Sequence, residues 1–174
     1  MSADALLAEI IDRPEEDAPR LVYADWLDDQ GEPDRAAFIR ASVELARLDL
    51  ADERRPAREA EALRLLLPRK KGWAGPLRRL VRGWEFSRGL VDKVRLPARD
   101  FLSCADELFA AAPIRSLHLT HYGEAAQALA DCRHLSRVRE LTLTDDTFLA
   151  GSRPGRGPPR PASRRCGRCC RRGT

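Results

Sequence analysis

Over the first fifty residues the apolar positions recur at helical spacing. Leu6, Leu7, Ile10 and Ile11 form an i, i+3, i+4 stripe, which predicts a first helix over 2–12, capped by Ser2 or Asp4 and closed by Asp12-Arg13-Pro14. A second helix is predicted over 15–29. Glu15, Glu16 and Asp17 suit the positive end of its dipole, Pro19 is tolerated in its first turn, and Gly31 ends it. On this helix Val22, Tyr23, Trp26 and Leu27 form one apolar stripe, facing Phe38 and Ile39 of a third helix that Pro33 opens and that runs to about Leu50. A fourth helix, over about 57–67, is stopped by Pro68, and Gly72, Gly75, Pro76 and Gly83 then divide the chain into short pieces carrying Trp73, Leu77, Leu80 and Trp84.

From Gly89 onward the spacing changes to a recurring unit. Val91-Asp92-Lys93-Val94-Arg95-Leu96, Ile114-Arg115-Ser116-Leu117-His118-Leu119 and Val138-Arg139-Glu140-Leu141-Thr142-Leu143 each read apolar-x-x-apolar-x-apolar, at intervals of 23 and 24 residues. Between them lie the helix-like stretches FLSCADELFAA (101–111) and EAAQALA (124–130). A short strand plus a helix at this period is the signature of a leucine-rich repeat. The repeat consensus places Asn or Cys three residues after the last strand leucine; here Arg99, Tyr122 and Asp146 stand there, so the units are irregular.

The stretch LVYADWLDDQGEPDRAAFIR (21–40), followed by WEFSRGLVDKVRL and the repeats, resembles the bacterial repeat-companion domain family. The resemblance is most specific over 1–50, through Leu21 to Asp28, Gly31, Pro33 and Phe38-Ile39-Arg40, and the repeats extend it to about residue 150. It implies an N-terminal helical module joined to leucine-rich repeats, with no particular activity attached. The expected fold class is therefore α+β: a helical module (1–50), a helical connector (51–88), a short, irregular leucine-rich-repeat solenoid (89–150) and a disordered C-terminal tail (151–174).

Charge changes the picture only at that tail. The chain carries a net charge of +4, yet residues 151–174 hold eight Arg and no acid, leaving 23 basic against 27 acidic side chains in 1–150. A body without a basic surplus offers little counterion release, so it is a poor nucleic-acid binder. The tail also lacks Leu, Ile, Val, Phe and Met. Its Arg, Pro, Gly and Cys are what GC-rich coding DNA yields out of frame. Read one base earlier, Cys170 becomes Leu whichever Cys codon precedes it, Cys166 and Cys169 become Leu, Val or Met, and Ser163 becomes apolar when its codon begins TC. Pro154 to Pro158 then fit Gly-Ala-Arg-Ala, much like the run from Gly123 in the preceding repeat. The tail thus reads as the frameshifted end of a longer repeat protein, and otherwise as a basic disordered segment.

Candidate chemistry is sparse. Asp25, Asp28 and Asp29 share a helix face but lack the turn that would bring further oxygen ligands to a metal; they read as a solvated face, with Asp25 paired to Arg35 or Arg40. His118, flanked by Leu117 and Leu119, falls on the outward side of a strand with Ser116 and Thr120, and no Gly-x-Ser-x-Gly elbow accompanies it. Cys104 and Cys132 read as small buried hydrophobes within helices, and Cys166-Gly-Arg-Cys169 is a zinc half-motif without a second pair. No catalytic, metal or cofactor site is assigned. No apolar run reaches the roughly 20 residues of a membrane span, and the acidic N-terminus is no secretory signal, so a cytoplasmic location is expected. The function that follows is a non-enzymatic protein-interaction module whose outward row, Lys93, Arg95, Ser116, His118, Thr120, Glu140, Thr142 and Thr144, contacts a protein or peptide. Nucleic-acid binding through the arginine tail and a hydrolase built on His118 are the alternatives.

Overall fold

The computed structural model describes residues 2–145. The tail expectations for 151–174, and the turn position Asp146, lie outside these residues. The N-terminal half is helical: α1 (Ala3–Asp12), α2 (Ala18–Asp29), α3 (Pro33–Arg47) and α4 (Arg55–Leu66), then the short α5 (Lys70–Trp73) and α6 (Leu77–Leu80). Ser2 caps α1, its hydroxyl accepting from the Ala5 amide. The α2 helix begins at Ala18, three residues later than its acidic run suggested, and Gly31 (φ +78°) ends the turn into α3.

The buried face of α2 differs from the expected stripe. Ala24 and Leu27 point inward against Ala36, Ile39 and Val43 of α3 and Arg20 is buried as well, while Tyr23 and Trp26 stack on each other over the rim and Val22 is exposed. A second cluster joins α3 to α4: Phe38, Ala41, Ala62 and Leu65, closed by Trp73 and Phe86.

A four-stranded mixed sheet follows, in the order β1 (Gly83–Ser87), β2 (Leu90–Pro97), β3 (Ser116–Thr120), β4 (Glu140–Thr144). Strand β1 corrects the helical connector proposed for 51–88: that segment ends in a strand, antiparallel to β2 across a two-residue turn with Arg88 (φ +46°) and Gly89 (φ +83°). Gly89 is also pressed against α3, where an added Cβ would lie 2.6 Å from Ile39 Cγ1. Strands β2, β3 and β4 are parallel, aligning Val94-Leu117-Leu141 and Leu96-Leu119-Leu143. Helix α7 (Ala98–Ala111) crosses from β2 to β3 and buries Phe101, Ala105, Leu108 and Phe109, spaced i, i+4, i+7, i+8, beneath the sheet. The second crossover is weaker: a 3₁₀ turn (Gly123–Ala125), α8 (Ala126–Ala130) and a second 3₁₀ turn (Arg133–Arg137).

The leucine ladder is uneven. Leu117 and Leu119 are fully buried, but Leu141 and Leu143, expected to be buried as well, are 44% and 41% exposed. Strand β4 is the edge of the sheet, and no described element covers its inward face.

Candidate functional site

The parallel register gathers the predicted outward row into ranks on one face of the sheet. Lys93, Ser116 and Glu140 form one rank, Arg95, His118 and Thr142 the next, and Thr120 and Thr144 a third beside Pro97. Alternation along each strand sends Val94, Leu96, Leu117 and Leu119 to the opposite, buried face. Arg95, Glu140, Thr142 and Thr144 are exposed and Lys93 and His118 half-buried. Ser116 and Thr120 depart from the expectation, being only 6% exposed. Both are short side chains on a strand paired on both sides. Ser116 Oγ donates to Glu140 Oε2 at 2.8 Å, and Thr120 Oγ1 lies 3.2 Å from His121 Nδ1. They form the floor of the row, and its contact groups are the residues around them.

The polar contacts of the row run across the strands. Lys93 Nζ sits 3.8 Å from Glu85 of β1, and His118 Nε2 is bonded to Thr144 Oγ1. Ser116 and His118 each bond a residue of β4.

The other predicted groups fall into structural roles. Arg40 pairs with Asp25 (2.6 Å), one of the two partners the sequence offered, and also with Asp28 (2.7 Å), which the sequence did not pair; the hydrogen bond to Asp25, then that to Asp28, raises its pKa. Arg35, the other proposed partner of Asp25, is buried and stacks over Trp73, Phe86 and Phe38, with 4.8 Å from guanidinium to the Trp73 ring. Cys104 of α7 and Cys132 of the second crossover pack half-buried against the core; Cys132 lies outside a helix, contrary to expectation. His134 stacks on Phe109 and meets Asp106 at 2.8 Å. Among the described residues no group of three or more His, Cys, Asp or Glu could hold a metal ion, and no helix is long and apolar enough to cross a membrane.

One set of functional-looking residues was missed. The position after the first apolar residue of each apolar-x-x-apolar-x-apolar stretch is charged: Asp92, Arg115 and Arg139. In the sheet they line up at the entry to the strands, where the Arg115 amide donates to the Asp92 carbonyl (2.9 Å) and the Arg139 amide to the Arg115 carbonyl (2.7 Å). Glu15, in the α1–α2 loop, reaches across to Arg115 at 3.0 Å and Arg139 at 3.3 Å. The shared motif position was the available signal; the partner loop, 100 residues away in sequence, gave none.

Comparison of the chain with models of known protein families, with curated proteins and with solved structures finds no match.

Proposed function

We propose that the chain is a protein-interaction module of the leucine-rich-repeat type, in which a helical module akin to the repeat-companion family braces a short strand–helix array. On this reading the polar row binds a protein or peptide segment laid across the strands. The observation that carries it is the alignment of Arg95, His118 and Thr142 as a rank of one cation, one imidazole and one hydroxyl over a fixed parallel backbone, set between the Lys93–Glu140 and Thr144 ranks. Side chains spaced by strand pairing, about 4.8 Å apart, are preorganised, so little entropy is lost when they engage a ligand. The mixed sign of the row suits a peptide better than a nucleic-acid backbone.

The test uses full-length protein as bait in crosslinking pull-downs, with the wild type compared against the triple variant Arg95→Ala/His118→Ala/Thr142→Ala. A partner captured by the wild type and lost by a triple variant of unchanged melting temperature supports the row. Retention by the triple variant, with loss on deleting 151–174 and a steep salt dependence, would transfer the function to the arginine tail.

A further inference from the structure

Beside the polar row, where the α1–α2 loop meets the β1–β2 turn and the entry ends of β2 to β4, lies a cavity of about 140 Å³. Its charged lining is Glu15, Arg20, Arg88, Asp92, Arg115 and Arg139, four guanidinium groups against two carboxylates. Asp17 stands behind Arg88, its Oδ1 3.6 Å away and without a hydrogen-bond partner while its Oδ2 pairs with Arg47 at 2.7 Å, so Asp17 and Arg47 offset each other in charge. The wall therefore carries a surplus of two positive charges.

Arg20 is only 2% exposed, and although its Nη1 donates to the Glu16 carbonyl at 3.2 Å, its Nε has no hydrogen-bond partner in the protein. The buried Nε of Arg115 is in the same position. A guanidinium is a fork of donors with no acceptor, and burying it is favourable only when those donors meet oxygen. Burial, and next the like charge of Arg88, pull the Arg20 pKa down, so added negative charge would relieve this corner. Glu15 already shows the chemistry: its carboxylate lies 3.0 Å from Arg115, 3.3 Å from Arg139 and 3.9 Å from Arg88.

We propose that this pocket binds a doubly charged phosphate-type oxyanion, free or as a monoester, held by Arg20, Arg88, Arg115 and Arg139, with Glu15 as a built-in competitor for the same guanidinium groups. A dianion balances the surplus charge, and a tetrahedral oxyanion offers acceptors to several planar forks at once. The cavity has room for it, since a water molecule takes up roughly 30 Å³. The site is separate from the polar row and does not depend on the peptide-binding reading.

The experiment is calorimetric titration of the full chain with inorganic phosphate, O-phosphoserine and acetate at constant ionic strength, paired with melting temperatures. Inorganic phosphate should bind saturably and raise the melting temperature. Arg139→Ala, a change at a side chain 72% exposed and safe for folding, should weaken binding at least tenfold, and Glu15→Gln should tighten it several-fold. The arginines of 151–174 are common to all variants, so the differences report on the pocket. O-Phosphoserine binding more tightly than phosphate would mark a monoester as the ligand, and weaker binding the free ion. The proposal is overturned by absence of saturable phosphate binding, by equal affinity in Arg139→Ala, by weaker binding in Glu15→Gln, or by acetate binding as tightly as phosphate.

Discussion

At the scale of single residues, two glycines separate backbone strain from crowding. Gly31 and Gly89 both have positive φ, +78° and +83°, yet a Cβ at Gly31 meets nothing within 4 Å, whereas at Gly89 it would meet Ile39 backbone and side chain at under 3 Å. Gly31→Ala should therefore cost about 1 kcal/mol, the penalty of a left-handed conformation alone. Gly89→Ala should cost clearly more, because α3 and the hairpin must move apart; equal urea midpoint shifts for the two variants would refute the crowding. Arg35 poses a sharper balance. Burial lowers its pKa to about 10, so at roughly 1.4 kcal/mol per tenfold the charged form is disfavoured by about 3 kcal/mol. Stacking on Trp73 and its neighbours returns up to about 2 kcal/mol. These nearly cancel, so Arg35→Met should stay within about 1 kcal/mol of wild type, while Arg35→Ala, which empties the aromatic cluster, should lose about 2–4 kcal/mol. A methionine variant as unstable as the alanine one would show that the charge itself is required. The sequence narrowed the partner of Asp25 to Arg35 or Arg40, and the structure pairs it with Arg40. The Arg35 stack was not legible, since nothing local says that Trp73 and Phe86 return to α3.

Among the elements, periodicity revealed what is locally encoded and missed what depends on neighbours. The helices α1 to α4 and the three parallel strands were readable because their apolar spacing persists over several turns or repeats. Strand β1 was hidden by Gly83 at its start and Gly89 just beyond it, although Trp84 and Phe86 alternate with Glu85 and Arg88-Gly89 suits a tight hairpin. The burial of Leu141 and Leu143 was overestimated for a complementary reason. Alternation says which face a side chain points to, whereas its burial depends on whether another layer reaches that far. Helix α7 covers Leu117 and Leu119, but no comparable helix lies under β4 among the described residues. Leu117→Ala or Leu119→Ala should thus cost about 2–5 kcal/mol, and Leu141→Ala or Leu143→Ala about 1 kcal/mol. Hydrogen exchange should rank the strands in the same order, with β4 amides exchanging faster than those of β3. Equal protection of β3 and β4 would mean that something covers the edge.

For the whole molecule, the question is whether the helical module and the sheet fold as one body. The contacts that join them include Gly89 against Ile39, Glu15 and Asp17 with Arg88 and the strand-entry arginines, Leu77 in the sheet core, and the aromatic cluster of Phe38, Trp73 and Phe86. The Glu15 pairs are largely exposed and contribute little. Phe86 is different, since it packs against both the sheet core and the α3–α4 core and meets Phe38 edge to face at 5.7 Å between ring centres. A side chain shared by two cores couples their stabilities, because neither can open without exposing it. The wild type should then unfold in one cooperative step, with urea transitions followed by tryptophan fluorescence and by far-ultraviolet circular dichroism superimposing. Phe86→Ala should cost about 2–4 kcal/mol and also pull the two transitions apart, because the halves lose their common contact. Glu15→Gln, which weakens only the exposed pairs, should leave them superimposed. If the wild-type transitions are already separate, the halves are independent; if Phe86→Ala lowers the midpoint while the curves still coincide, the coupling runs through the other contacts, Gly89 against Ile39 among them.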